Sequence, residues 1–185
     1  NLRLSAIRAF YRFVSVRAPA HVAIASRVLS IPAKRTSRPM MTYLTRAEIE
    51  SVLAVPDRKT WLGSRDHALL LTMYNTGARA SEITGLLCGQ VRFATPTLIH
   101  IHGKGRKDRA VPLWPQTSRV LQRWFDLSQA KENAFAFPTQ RGRQLSADAL
   151  NYLLQNVVAK AAERCPDLKR KRVTPHVIRH TTAMH

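Results

Sequence analysis

The chain has 185 residues, 45% of them hydrophobic, enough for one good core and part of a second. Its 30 Lys plus Arg against 11 Asp plus Glu give a formal net charge of +19, spread along the whole chain. So basic a chain points to an anionic partner, nucleic acid first, with a membrane surface or ribosomal RNA as rivals. Two cysteines, Cys88 and Cys165, exclude a disulfide framework and a cysteine-rich metal quartet, and no run approaches the roughly 18 apolar residues of a membrane span.

Leu4, Ile7, Tyr11 and Val14 recur at helical spacing, with Phe10 beside them and Arg3, Arg8, Arg12 and Arg17 interspersed, which predicts a basic helix over residues 2–16. From Ser30 to Thr42 the pattern fails, and Pro32 and Pro39 bracket Lys34, Arg35 and Arg38 in what reads as an extended basic linker. Thr45 and Glu48 form a capping-box pair ahead of an apolar stripe of Ile49, Val52 and Leu53. A second helix is expected from about Arg65 to Asn75, closed by Gly77 as a left-handed cap, and a third, short one carries Arg79, Glu82 and Ile83. Strands are expected at Leu98–His102 and Arg109–Leu113, joined by a turn of glycine and charge, Gly103 to Asp108. A helix follows Pro115, with Val120, Leu121 and Trp124 inward. Phe135–Phe137 is a candidate short strand. Ser146 caps a long helix whose Leu150, Leu153, Leu154, Val157 and Ala161 face the core, and after a polar break at Cys165–Arg172 a last helix starts at Thr174-Pro175. The fold class is mainly α with one small antiparallel β-sheet. Asn1 and His185 both fall inside predicted helices, so both ends are expected to be cuts in a longer protein.

Three short segments carry candidate chemistry. In Thr174-Pro175-His176-Val177-Ile178-Arg179-His180 the cap fixes the helix start, and His176 and Arg179 share its first-turn face, where an anion is favoured. The same residues could be an exposed basic helix end. His176 and His180 could bind a metal, but no Glu follows His176 and no third ligand suggests itself, so no metal and no cofactor is expected. In Asn75-Thr76-Gly77-Ala78-Arg79-Ala80-Ser81-Glu82-Ile83, Arg79 could hold phosphate oxygens and Glu82 could orient a cation, or the two could form a plain surface ion pair. At the hairpin tip Lys104 stands between two glycines, able to reach a ligand or simply solvated.

Taken in order, Gly-Ala-Arg-Ala-Ser-Glu-Ile, then Gly-Lys-Gly-x-Lys-Asp-Arg-x-Val-Pro-Leu, then Thr-Pro-His-x-x-Arg-His resemble the catalytic domains of the tyrosine recombinase (phage integrase) family, over about Leu44 to His185. The resemblance implies three segments: residues 1–29 as the end of a helical core-binding domain, 30–43 as a basic linker, and 44–185 as a catalytic domain incomplete at its C-terminus. It implies Arg79 and Arg179 as the pair gripping a scissile DNA phosphate. Lys104 would protonate the leaving 5′ oxygen, with Lys107 its rival, His176 would bond a phosphate oxygen, and Glu82 would support the site. It also implies site-specific strand cleavage and rejoining through a 3′-phosphotyrosine, with type IB topoisomerase-like chemistry and no metal. Double-stranded DNA would be the partner, the full-length protein would form a homotetramer on two duplexes, and the setting would be the bacterial cytoplasm and nucleoid.

The family's nucleophilic tyrosine and the His or Trp before it lie downstream of the His-x-x-Arg helix, and none of Tyr11, Tyr43, Tyr74 and Tyr152 does. The expected activity of these residues alone is therefore to hold a phosphate without cleaving it. An inactive DNA-binding relative that occupies recombination sites is the alternative, and a ribosomal-type RNA-binding protein a weaker one. Backbone contacts are expected from Lys34, Arg35, Arg38, Arg106, Lys107, Lys169, Arg170, Lys171 and Arg172.

Overall fold

A computed structural model describes residues 1–34, 42–103, 107–129 and 131–185. The chain divides into two compact units, Asn1–Met40 and Met41–His185. The first holds helices α1 (Leu2–Arg17) and α2 (Val22–Leu29). They pack on each other, and the Asn1 side chain both donates to and accepts from the Lys34 main chain. Only Ala25 of this unit's apolar residues is fully buried among the described residues.

In the second unit α3 (Arg46–Leu53) starts where the capping box places it. The Glu48 carboxylate accepts from the Thr45 N–H at 2.6 Å, and the Glu48 N–H donates to the Thr45 hydroxyl. The next helix, α4 (Trp61–Thr76), begins well before the expected Arg65. Gly63 sits in its first turn and hides the start, because glycine weakens a helical pattern. Its role is close approach: a Cβ there would fall 2.0 Å from the Asp57 carbonyl oxygen, so no other residue lets the preceding loop fold against the helix. The Thr60 hydroxyl caps it by accepting from the Gly63 N–H. Gly77 closes α4 in the left-handed region, at φ 58°. The short α5 (Ala80–Thr84) follows directly, with Arg79 at its N-cap.

The sheet is three antiparallel strands in the order β1 (Val91–Arg92), β2 (Leu98–Gly103) and β3 (Lys107–Pro112). Ile99 faces Val91 on one side and Val111 on the other, and Ile101 faces Arg109, so one face points into the core. The hairpin pairs down to Gly103 with Lys107, which moves the start of β3 ahead of the expected Arg109. β3 ends at Pro112, and the Leu113 N–H donates to the Thr97 carbonyl at 2.9 Å in continuation of the same register. β1 is too short to show alternation in the sequence, and Phe135 makes a single bridge with Leu87 in place of a strand. Three helices complete the unit: α6 (Pro115–Ser128), α7 (Ala147–Arg164) and α8 (Pro175–Met184).

The core gathers Ile49, Leu69, Leu70, Met73, Ile83, Ile99, Leu121, Phe137, Leu150 and Leu154 around Trp124, whose indole N–H donates to the Ala136 carbonyl at 2.7 Å. α4 is the central element and packs against both α6 and α8, while α7 receives α3 and α5. Cys88 is buried and its thiol is pushed up to about 11 by desolvation, so it is packing, not chemistry. Among the described residues no helix is long and apolar enough to cross a membrane.

Candidate phosphate-binding site

The α4 C-cap organises the site. Gly77 turns the chain so that Arg79, at the N-cap of α5, emerges beside α8. α8 is tied to the same cap from the other direction. Arg179 Nη1 donates to the Gly77 carbonyl at 2.7 Å, and the Thr182 hydroxyl donates to the Tyr74 carbonyl at 2.7 Å. Thr174 and Pro175 fix where α8 begins, the Thr174 hydroxyl accepting from the Val177 N–H. The result is an open cleft of about 250 Å³ lined by Arg79, Ala80, Asn151, Thr174, His176 and Arg179. Residues about a hundred positions apart in sequence thus share one surface. Asn151, on α7, is a lining residue that no sequence motif marked.

Behind the cleft Glu82 is a buried anion, its side chain 4% exposed. Its Oε1 accepts from Arg79 Nη1 at 2.8 Å and from Arg109 Nη1 at 3.3 Å. Its Oε2 accepts from the Arg79 main-chain N–H at 2.9 Å and from Arg109 Nη2 at 2.7 Å. Burial alone would raise this carboxyl. The hydrogen bonds from Arg109 and from the Arg79 backbone and side chain outweigh it and hold the pKa at about 2, against an ordinary 4.5. Glu82 is therefore ionised at any ordinary pH and neutralises part of a strongly cationic neighbourhood. Arg109 was no part of the expected site. Its signal was in the strand: it shares a face with Val111 and Leu113, and a charge at an inward position needs a buried partner.

His176 is exposed in the cleft and His180 half-buried below it, their Nε2 atoms 2.7 Å apart. One nitrogen must donate and the other accept, so at least one ring is neutral while this contact exists. Among the described residues no group of three or more His, Cys, Asp or Glu gathers as a metal site.

The basic run splits on folding. Lys169, Arg170 and Arg172 are exposed, but Lys171 is turned inward. Its ammonium donates to Glu48 at 2.7 Å and to the Tyr43 carbonyl at 3.1 Å. Burial would raise the Glu48 carboxyl, and the bonds from Lys171 and Thr45 more than reverse that, holding it below its ordinary range. Lys171, expected among the backbone contacts, here joins this segment to the start of α3. Arg35, Arg38, Lys104 and Arg106 lie outside the described residues. Lys107 opens β3, and Lys34 is exposed in the first unit. A larger cavity, about 850 Å³, is lined by Tyr74, Trp114 and His185 among others and by none of the expected site residues. The smaller cleft is the one that gathers Arg79, His176 and Arg179.

Residues 42–185 match the phage integrase family. The chain belongs to that family, the tyrosine recombinases. A putative integrase/recombinase, y4rC, of Sinorhizobium fredii is 44% identical over all of this chain and 55% of its own length. The tyrosine recombinase XerC of Oceanobacillus iheyensis is 30% identical over 99% of this chain and 59% of its own length. The chain thus spans a little over half of these curated relatives. Among solved structures, the XerH site-specific recombinase in a post-cleavage complex with its palindromic difH substrate superposes with a TM-score of 0.68 at 23% identity. That match covers 84% of this chain and 45% of the other, and it shows that the tyrosine-recombinase fold is shared.

Proposed function

We propose that this chain grips a DNA backbone phosphate for site-specific recombination, with Arg79 and Arg179 as the principal cations and His176 as a third donor. The observation that carries the reading is the convergence of these three side chains on one cleft, backed by a buried carboxylate that holds Arg79 in place. Guanidinium groups suit the task because their fixed fork matches phosphate oxygens and because they stay charged at any working pH. Lys169, Arg170 and Arg172 supply further phosphate contacts near the start of α8, and the linker cations Lys34, Arg35 and Arg38 follow the duplex. These contacts position the protein without reading sequence.

In the reaction proposed for the whole recombinase, a tyrosine oxygen attacks phosphorus and the bond to the 5′ oxygen breaks. A 3′-phosphotyrosine forms, and the proton needed by the leaving oxygen comes from a hairpin lysine, Lys104. Arg79 and Arg179 stabilise the negative charge on the pentacoordinate phosphorus, a role that asks for no metal from this residue set. The released 5′ hydroxyl of a partner strand reverses the step, so the bond energy is conserved. A homotetramer on two duplexes would bring those strands together.

None of Tyr43, Tyr74 and Tyr152 lines the cleft, and Tyr11 belongs to the other unit. Tyr74 instead packs edge-to-face with Trp114, ring centroids 5.2 Å apart, and bonds His185. These residues by themselves are therefore assigned phosphate binding without cleavage; a DNA-binding relative that occupies recombination sites is the second reading, and it uses the same phosphate contacts. Both readings predict duplex binding whose logarithmic affinity falls by about 0.9 per neutralised phosphate for each decade of salt. They also predict no covalent adduct on a nicked suicide duplex. A salt-independent affinity contradicts DNA gripping, and a covalent adduct with these 185 residues contradicts the assignment of the tyrosines.

A further inference from the structure

The Glu82 carboxylate has room for about four hydrogen bonds, and all four are taken. Two belong to Arg79, one from its main chain and one from Nη1. The other two are the fork of Arg109, which reaches across from β3. The Arg79 side chain is consequently bonded to Glu82 through a single nitrogen. Among the described residues its Nε and Nη2 donate to nothing else, and the side chain is 53% exposed at the cleft.

An arginine and a carboxylate three residues apart, with nothing else competing, favour the paired geometry in which two parallel N–H groups meet both oxygens. That geometry would consume a second Arg79 donor and draw the guanidinium onto Glu82. Arg109 already occupies those lone pairs. It is held by the sheet, opposite Ile101.

Resting on the phosphate reading of the cleft, we propose that Arg109 is a positioning residue: by filling Glu82 it prevents bidentate capture of Arg79 and leaves Nε and Nη2 available to a phosphate. Arg109 touches no ligand in this account. It acts through Glu82, and it mechanically links the hairpin to the arginine that the hairpin must approach.

A double variant distinguishes positioning from a merely structural role by the sign of its effect. Arg109→Gln is expected to weaken binding to a 30-base-pair duplex about tenfold, as one charge-assisted contact is lost. Adding Glu82→Gln removes the capturing charge while keeping a side-chain oxygen for the cap, and is expected to restore most of that loss. A structural role predicts that the second change makes matters worse. Arg109→Lys, which keeps the charge without the fork, is expected to lie between, and it serves if Arg109→Gln does not fold.

A second readout needs no DNA. In ¹⁵N side-chain spectra, rotation of the Arg79 guanidinium about its Cζ–Nε bond is expected to slow in Arg109→Gln and to recover in the double variant. Unchanged Arg79 rotation in a folded Arg109 variant, or a double variant that binds no better than the single one, overturns the inference. Arg79→Ala binding as tightly as the wild type overturns the reading of the cleft instead, while the rotation measurement still decides the role of Arg109.

Discussion

Glu82→Ala is expected to destabilise the Met41–His185 unit by about 3 kcal/mol at neutral pH and to weaken duplex binding as well. The magnitude follows from the carboxyl itself: holding it at about 2 against an ordinary 4.5 corresponds to about 3 kcal/mol of preference for the ionised, bonded form. Because the folded value is depressed, that stability is fully present above about 4.5 and is lost as pH falls from there toward 2. Wild type should therefore lose stability steeply in this acid window, and Glu82→Ala should show a flatter dependence there. Circular dichroism melts at pH 7, 4 and 2.5 check both statements. Equal melting temperatures at pH 7 would mean that the two arginines are satisfied by solvent. Binding suffers separately, because Arg79 loses both its main-chain acceptor and its side-chain anchor.

Gly77→Ala is expected to cost about 1–2 kcal/mol, the penalty of a left-handed conformation for a residue with a Cβ. The cause is the backbone alone, since the added carbon would meet Thr182 at an ordinary 3.5 Å. Gly77→Asn should cost less, because asparagine tolerates this region, and Gly77→Val more, because branching presses on Thr182. The larger effect is on function. The Gly77 carbonyl is the acceptor for Arg179, and the turn it makes sets the direction of Arg79, so a shift here displaces both cations at once. We expect binding to fall by more than the stability loss alone explains, measured at a temperature where every variant is fully folded. A Gly77→Val chain with wild-type affinity would show that the cap does not organise the cleft.

The elements that sequence shows well are those governed by local rules. Thr45 with Glu48, Gly77, Ser146 and Thr174-Pro175 each fix a helix boundary through their own backbone chemistry, and each appears where the pattern placed it. The early start of α4 was hidden because Gly63 is there for a contact with Asp57, a tertiary reason that local propensity opposes. The same division runs through the site. Arg79, His176 and Arg179 were legible as motifs, and the structure brings them to one cleft. What each arginine is bonded to was not legible. Arg109 required knowing that its strand face turns inward toward Glu82, and Lys171 required knowing that α3 delivers Glu48 to it. A run of four basic residues looks uniform in sequence, yet one of them is turned inward while the other three remain exposed.

Salt-titrated duplex binding of the wild type against Arg79→Ala/Arg179→Ala tests most directly whether Arg79 and Arg179 together hold DNA phosphate oxygens. The wild-type slope of log affinity against log salt should shrink in magnitude by about 1.8 in the double variant, two phosphate contacts at about 0.9 each. A folded double variant with the wild-type slope would place the DNA elsewhere on this basic surface and contradict the account.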